Sequence, residues 1–246
     1  MALTDNLISF WELEEASGTR VDSVTATGND LTDNNTVLSA TGKVGNAADF
    51  ELANSEYLSR ADNASVSMGD IDFTITAWVN MESKTEQHPI VSHYDATRDQ
   101  RAYQLRYRDE IDRFDFFVDP VGTGSLAARV AADNLGSPSV ATWYFVVAWH
   151  DATADTINIQ VNDGTVNSAA HLTGVLDSTS AFQIGAQSAP SDFWDGLIDQ
   201  VGLWKRVLTA GERTQLYNSG NGLSYAQMQA RRIKDVIYAG VLPKKR

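Results

Sequence analysis

The chain has 246 residues, no cysteine and a formal charge of −13 at pH 7, from 19 Lys and Arg against 32 Asp and Glu. This acidic balance argues against nucleic acid or an anionic membrane as a partner of the body of the protein, because phosphate binding needs clustered cations. The lack of cysteine excludes disulfides, zinc–thiolate sites and a cysteine nucleophile. The hydrophobic content of 43% is ordinary for a globular protein and too high for a disordered chain.

The N-terminal segment has no basic stretch followed by an apolar run, and it therefore does not look like a secretory signal. Apolar runs elsewhere are much shorter than the roughly 20 residues of a membrane-spanning helix. We therefore expect synthesis in the cytoplasm without a signal peptide. A role in a virion, or outside the cell, would then follow lysis.

Alternation of apolar and polar residues dominates the chain before its C-terminal tail. Segments 73–79, 103–108, 113–118 and 157–161 alternate with a period of two, which is typical of strands with one buried face. The charged stretch between the second and third of these segments predicts a hairpin. Segment 143–149 is apolar on both faces and is predicted to be a central strand.

Turn signals separate these runs, and no long helical pattern lies between them. Asn162, Asp163 and Gly164 form a strong hairpin signal, because Asn, Asp and Gly accept a positive φ angle. Regularly spaced short strands of this kind favour two packed antiparallel sheets over strand–helix–strand units. The predicted fold class is therefore all-β, as a two-sheet sandwich.

Helix signals are confined to the C-terminal part of the chain. Thr209 with Glu212, and Ser224 with Gln227, match the capping box that begins many helices. The first predicts a short helix through about Tyr217. The second opens a basic amphipathic segment, residues 224–246, which has six cations against one anion.

Two interpretations of this C-terminal tail remain open. It is either a solvated helix that packs back on the acidic body, or an arm that docks on another subunit. An isolated helix of this length is marginal in water, so its apolar stripe needs a partner. The predicted docking residues are Arg231, Arg232, Ile233, Lys234, Ile237 and Lys244.

Six segments, in order along the chain, resemble the laminin G-like, concanavalin A-like jelly-roll family. They begin with an opening strand and an acidic-x-Ser-Gly turn, and they end with a strand that runs into a capped helix. Six such matches in the same order are hard to obtain by chance. The segments are 7–18, 21–23 with 28–31, 42–50, 73–79, 142–147 and 193–209.

The resemblance implies one antiparallel jelly-roll domain over residues 1–223, followed by the helical tail over 224–246. Members of the family are chiefly binding and display modules, often attached to larger assemblies, and some hold glycans or proteins. Function still has to be argued from the site, because one fold serves many functions.

The resemblance also implies a structural calcium ion, which in jelly-roll relatives often ties the first loop to the last strand. The matching positions here are Asp22, Asn29 and Asp199. Calcium binds carboxylate, amide and carbonyl oxygens of this kind. The alternative is that Asp22 and Asn29 only shape turns, as Asp and Asn commonly do.

Glycan binding would need exposed aromatic side chains beside amide or carboxylate groups. Phe193 and Trp194 follow a turn-rich stretch and are predicted to form an exposed platform, with Tyr94 as a further ligand-binding residue. Trp78 and Tyr103 are weaker candidates, because most tryptophans of a sandwich belong to its core.

A second candidate chemistry is hydrolysis of a glucan. Glu110, Asp112 and Asp115 invite comparison with laminarinase-type retaining glucanases, which share the jelly roll and place three acidic residues at alternating positions of one strand. The spacing fails here, because Phe114 stands where a carboxylate is required. The cluster is predicted to be a solvated, charged hairpin.

The sequence thus favours a non-enzymatic binding or display module. We expect a structural or adhesion protein of a larger particle (a phage virion decoration, head-fibre or tail protein) that docks on capsid or tail subunits through its tail. Glycans are further expected partners, and a homo-oligomer remains open. The alternatives are a glycoside hydrolase of the laminarinase type and a free carbohydrate-binding lectin.

Overall fold

The computed structural model describes residues 2–188 and 191–240, with side chains through residue 232. Strands account for most of its regular structure, and two α-helices follow them, α1 (Ala210–Tyr217) and α2 (Tyr225–Gly240). In chain order the strands are β1 (Leu7–Trp11), β2 (Thr32–Asn34), β3 (Leu38–Thr41), β4 (Asn46–Phe50), β5 (Tyr57–Arg60), β6 (Phe73–Met81), β7 (His88–Asp95), β8 (Gln100–Arg108), β9 (Arg113–Gly122), β10 (Ala128–Ala131), β11 (Trp143–Asp151), β12 (Thr156–Val161), β13 (Asn167–Ala170), β14 (Phe182–Ile184), β15 (Ala186–Gln187), β16 (Ser191–Phe193) and β17 (Gly196–Trp204).

Two large antiparallel sheets face each other across the main core. The eight-stranded sheet has the order β13-β12-β11-β6-β17-β4-β3, with β1 also paired to β17. The seven-stranded sheet has the order β10-β9-β8-β7-β14-β5-β2, and β15 and β16 form a separate hairpin. The predicted two-sheet antiparallel jelly-roll sandwich is confirmed.

Strand β6 shows how the alternating pattern produces the core. Phe73, Ile75, Ala77 and Val79, the predicted inward residues, are all fully buried between the sheets. The opposite face of the strand is buried as well, and Trp78 on that face is only 2% exposed. The eight-stranded sheet is therefore covered on both sides.

A second apolar cluster provides this outer cover. It joins the N-terminal segment, the end of α1 and the start of α2 to the side of the eight-stranded sheet that is turned away from the main core. Tyr217 stacks on Trp78 with ring centroids 5.8 Å apart, and Tyr225 stacks on Phe10 at 6.2 Å. The second cluster consists of Leu3, Leu7, Phe10, Trp78, Phe145, Val147, Trp149, Trp204, Leu208, Leu216, Leu223 and Met228.

The predicted local signals are confirmed at the turns and helix ends. The Asp109–Ile111 turn joins β8 to β9, and Asn162 and Asp163 adopt positive φ angles between β12 and β13. Thr209 and Glu212 form the capping box of α1. None of the helices in the described part of the chain is long and apolar enough to cross a membrane.

Candidate functional site

The two faces of the seven-stranded sheet differ in their chemistry. On β8 and β9 the core face carries apolar side chains such as Leu105 and Phe116, and the positions between them are mostly polar or charged. Successive side chains of a strand point to opposite faces, so these positions form the surface turned away from the core. We call this surface the outer face; it consists of Ser59, Ser92, Gln104, Arg106, Asp115, Phe117, Arg129 and Gln183.

Strand register aligns most of these residues in one row across the sheet. Each member is the register partner of the next, although the residues come from six different strands. Side chains directly opposite each other on adjacent strands lie close enough to interact. From one side of the sheet to the other, the row is Arg129, Phe117, Gln104, Ser92, Gln183 and Ser59.

A buried ion pair lies beside this row. Arg106 Nε donates to Asp115 Oδ1 at 2.7 Å, and the Asp115 side chain is only 1% exposed. Two further guanidinium groups, those of Arg108 and Arg129, approach Asp115 Oδ2 to 3.8 Å and 3.9 Å. Burial, and then repulsion by Arg106, lowers the pKa of the Arg129 guanidinium. Three cations thus surround one carboxylate.

A hydrogen-bonded network connects this ion pair to the β15–β16 hairpin. Arg106 Nη1 donates to Gln87 Oε1 at 2.6 Å, and the amide groups of Gln87 and Gln187 both donate to Asp192 Oδ2. Gln104 Nε2 donates to Gln187 Oε1 at 3.1 Å. The network fixes the orientation of the Gln104 carboxamide on the outer face.

The carboxamide oxygens of Gln104 and Gln183 are buried without a hydrogen-bond partner in the described structure. The two residues are 0% and 4% exposed. An unpaired buried acceptor costs about 1–3 kcal/mol, so such groups are uncommon in folded proteins. A ligand that displaced the side chains covering them would find two free acceptors there.

Aromatic and cationic side chains flank the row. Tyr94 is half-buried and meets Phe117 edge to face, with ring centroids 5.4 Å apart. The guanidinium carbon of Arg129 lies 4.7 Å from the Phe117 ring centroid, and that of Arg101 lies 5.9 Å from the Tyr94 ring centroid. Tyr94, which the sequence singled out as a ligand-binding residue, thus lies next to the row.

A cavity of about 300 Å³ adjoins the other side of the row. Gln183 belongs to both the row and the cavity wall. Two serine hydroxyls and the carboxylate of Asp95 make the rest of the wall polar. The lining residues are Asp95, Arg98, Thr179, Ser180, Ala181, Gln183 and Ser188.

The prediction of an exposed Trp194 is wrong. Trp194 is 0% exposed and belongs to the main core, where it packs edge to face against His88 with ring centroids 6.1 Å apart. Phe193 is half-buried against Tyr57. The pair therefore does not form an exposed platform, because the chain turns Trp194 into the sandwich. The other two aromatic candidates, Trp78 and Tyr103, are buried as well.

The predicted calcium ligands Asp22 and Asn29 are already saturated with donors. Asn29 N donates to Asp22 Oδ2 at 3.3 Å, and Asn29 Oδ1 accepts from Asn63 and Ser65 at 3.1 and 2.9 Å. Since N–H and O–H groups occupy these oxygens, they do not fit a cation. The other donors to the Asp22 carboxylate are Phe10 N, Val24 N and Thr27 Oγ1.

Asp199, the third predicted ligand, holds a different loop. Its Oδ2 accepts from the backbone N–H groups of Lys43 and Val44, each at 2.8 Å. Burial raises the pKa of Asp199 to about 7, although the two backbone hydrogen bonds oppose the shift. In residues 2–188 and 191–240, no three Asp, Glu or His side chains form a group that could hold a metal ion.

Two of the predicted docking residues are bonded to their own chain. Arg231 Nη2 donates to Asn218 Oδ1 at 3.2 Å, and Arg232 Nη1 donates to Thr4 Oγ1 at 3.3 Å. Both contacts belong to the first half of α2, which packs on the body. The remaining predicted docking side chains lie outside the described ones; they are Ile233, Lys234, Ile237 and Lys244.

The three carboxylates considered for hydrolysis are each neutralised separately. Hydrogen bonding to Arg108 lowers the pKa of the exposed Glu110, and hydrogen bonding to Lys84 and Ser137 lowers that of Asp112 to about 2. Asp115 is buried against Arg106. The prediction of a solvated, charged hairpin is correct for the turn at Glu110 and wrong for Arg106 and Asp115, which are buried. The lowered pKa values of Glu110 and Asp112 are the opposite of what the proton donor of glycosidic cleavage requires.

The sequence analysis missed Gln104, Arg106, Arg129 and Gln183. The available signal was the polar residue at every second position of segments 103–108 and 113–118. That pattern marks an outward face, but it does not show which strands lie side by side.

The fold and the outer face together define a β-sandwich of the jelly-roll class. The family model of the concanavalin A-like lectin/glucanases superfamily matches residues 52–212, about two thirds of the chain. The chain belongs to this superfamily, as the sequence resemblance predicted. A comparison with curated protein sequences found no match.

Several solved structures have the same fold. The binding domain of Paraclostridial Mosquitocidal Protein 1 has a TM-score of 0.68 at 16% identity, over 88% of this chain and 53% of that one. Domain 4 of AbnA, an extracellular GH43 arabinanase from Geobacillus stearothermophilus, was solved in complex with arabinotriose. It has a TM-score of 0.65 at 14% identity, over 85% of this chain and 97% of that one.

The binding domain of botulinum neurotoxin DC, solved in complex with SialylT, has a TM-score of 0.64 at 13% identity, over 89% of this chain and 52% of that one. This chain therefore spans about half the length of the two toxin chains and nearly all of the arabinanase domain. At these identities the likeness establishes the fold.

Proposed function

We propose that this protein is a binding module that recognises glycans on its outer face. The observation that carries the proposal is the pair of buried, unpaired carboxamide oxygens of Gln104 and Gln183, which lie in one row beside Tyr94. Sugar hydroxyls can donate to such oxygens, and a sugar ring can pack on an aromatic face. The complexes of two structural neighbours with arabinotriose and with SialylT support glycans as the ligand class.

The charges around the row support binding without hydrolysis. Retaining cleavage needs two carboxyl groups about 5–5.5 Å apart, one of them protonated at working pH. The only carboxylate in the outer face as defined above, Asp115, is buried in an ion pair with Arg106 and has no second carboxylate beside it in that face. We expect Glu110→Gln to leave glycan binding unchanged; loss of a measured glucanase activity in this variant would favour the laminarinase alternative.

The decisive experiment removes the two acceptors. Gln104→Ala and Gln183→Ala should each weaken binding of a glycan selected on a glycan array by about tenfold, since one hydrogen bond contributes about 0.5–1.5 kcal/mol. Isothermal titration calorimetry measures the change. Gln215→Ala, an exposed position on α1, is the matched control and should bind as the wild type does. Unchanged affinity in both outer-face variants would refute the site.

We make a second proposal, about the location of the module. We propose that it is displayed on a larger particle, such as a virion, and anchored through the end of its tail. The six cations of residues 224–246 contrast with the acidic remainder of the chain and support attachment to an acidic partner. Since Arg231 and Arg232 bond to their own chain, the docking role falls to the residues that follow them.

Truncation after residue 232 tests the display proposal. This cut keeps Tyr225 and Met228, which belong to the packed body, and so should leave the sandwich folded. Sedimentation with particles from the lysate of the source should be lost in the truncated protein and kept in the full chain. Unchanged sedimentation would remove the docking proposal, and glycan binding independent of the tail would then favour a free lectin.

A further inference from the structure

The cations of the outer face exceed what its carboxylates require. One arginine is enough to neutralise the buried Asp115, and Arg106 does so with a hydrogen bond of 2.7 Å. Arg108 is engaged by Glu110, to which its Nη2 donates at 2.7 Å. Arg129 is therefore the cation without a carboxylate of its own.

The environment of Arg129 leaves its donors available. Its Nη1 lies 3.9 Å from Asp115 Oδ2, which is beyond hydrogen-bond distance. Its guanidinium covers the Phe117 ring, and 41% of its side chain remains exposed. A guanidinium offers five N–H donors in a planar fork that matches a carboxylate or sulfate.

Arg129 lies in a segment that is much less acidic than the protein as a whole. The chain carries −13 overall, yet residues 98–129 contain six arginines and six acidic residues and are neutral. Burial, together with repulsion by Arg106 and Arg108, lowers the pKa of Arg129. An anion bound beside Arg129 would offset the repulsion among the three guanidinium groups.

We infer that the glycan bound on the outer face is acidic, and that Arg129 binds its carboxylate or sulfate group. This inference rests on the proposed function. The anionic group would bind the exposed guanidinium of Arg129 at the β10 side of the row, and the sugar ring would pack against Tyr94. Uronic or sialic acids and sulfated sugars share this chemistry.

The test uses matched acidic and neutral polymers with the full chain. Polygalacturonate is compared with its carboxyl-reduced form, and dextran sulfate with dextran, by calorimetry and beside an array of neutral, sialylated and sulfated glycans. We expect the acidic member of at least one pair to bind at least about tenfold more tightly. That preference should weaken with added salt, because ionic contacts at partly exposed groups are screened. The two pairs distinguish carboxylate from sulfate recognition.

Arg129→Gln should remove the preference, with a loss of about tenfold or more for the acidic polymer. Arg129→Lys should retain most of it, because the charge is kept. Lys43→Gln, a loss of equal charge in the β3–β4 loop of the other sheet, is the control, and thermal unfolding of each variant verifies the fold. Equal affinity for acidic and neutral members, or an unaffected Arg129→Gln, overturns the inference and leaves the proposed function standing. Absence of binding to any glycan overturns both.

Discussion

Asp199 shows how burial changes the chemistry of a single side chain. It is 0% exposed, and its Oδ2 accepts two backbone hydrogen bonds that close the loop at Lys43 and Val44. Those bonds favour the carboxylate, but burial outweighs them and raises its pKa from 3.8 to about 7. The folded protein therefore binds a proton over a pH range in which the unfolded chain has already lost it.

The sign of the pH dependence follows from this proton. Between about pH 4 and pH 7 the contribution of Asp199 to the free energy of unfolding should fall as the pH rises, by on the order of 4 kcal/mol, and this contribution should be constant outside that range. Asp199→Asn keeps an acceptor for the loop but does not titrate. Urea denaturation from pH 4 to pH 8 should give a flatter profile for the variant, and parallel profiles would contradict the shift.

The surroundings of Asp115 also predict a measurable effect of mutation, on the free energy of unfolding. Removing one partner of a buried ion pair leaves the other charge unpaired and typically costs 3–5 kcal/mol. Because three guanidinium groups face Asp115, we expect Asp115→Asn to lower the free energy of unfolding by about 3 kcal/mol or more. Chemical denaturation measures it. Asp133→Asn, at an exposed partner of Arg113, should change stability by less than about 1 kcal/mol; equal effects would show that the buried cluster is not special.

At the scale of elements, the start of α2 belongs to the body of the protein. Met228 is 0% exposed within the second cluster, and Tyr225 stacks on Phe10. The apolar stripe of this helix therefore has its partner, at least through Met228, on the sandwich itself. This is the packing that a short helix needs in water.

Met228→Ala tests that packing. A buried methionine replaced by alanine usually costs 2–5 kcal/mol, so we expect a loss of about 2 kcal/mol or more in the free energy of unfolding. Gln229→Ala, at an exposed position of the same helix, should change it by less than about 0.5 kcal/mol. If Met228→Ala leaves the melting temperature unchanged, α2 is an appendage and not part of the fold.

The first loop provides a test of calcium. Donors saturate Asp22 and Asn29, and Asp199 holds another loop, so a calcium ion would have to displace several hydrogen bonds. We expect the melting temperature to be the same in calcium and in EDTA. A rise of several degrees with calcium, abolished by Asp22→Asn, would restore the calcium site implied by the family resemblance.

At the scale of the whole molecule, the eight-stranded sheet is the middle of three layers. The other sheet covers one side of it, and the N-terminal segment and the two helices cover the other; only the first cover was predictable from the sequence. The inward face of β6 followed from alternation at Phe73, Ile75, Ala77 and Val79. Trp78 lies on the other face, and its burial depends on α1 and the N-terminal segment. A pattern of period two shows that two faces exist, but it does not show what covers each.

The candidate site was predictable only in part for the same reason. Tyr94 was identified as a binding residue, and it lies beside the row of the outer face. Trp194 was expected at the surface because it follows a turn-rich stretch, but the tertiary packing turns it into the core. The local sequence around Gln104 and Gln183 does not indicate a function. The two residues come into one row only because their strands both pair with β7.

The amino-acid sequence by itself determined the elements and the class of fold: the alternating strands, the hairpin turns, the capping boxes and the two-sheet sandwich. These depend on residues a few positions apart, whose periodicity and turn preferences act locally. The tertiary structure alone decided that residues as distant as Ser59, Arg129 and Gln183 form one row, and that three arginines share one buried carboxylate. Such arrangements arise from strand order and register, which depend on contacts between parts of the chain that are far apart in sequence.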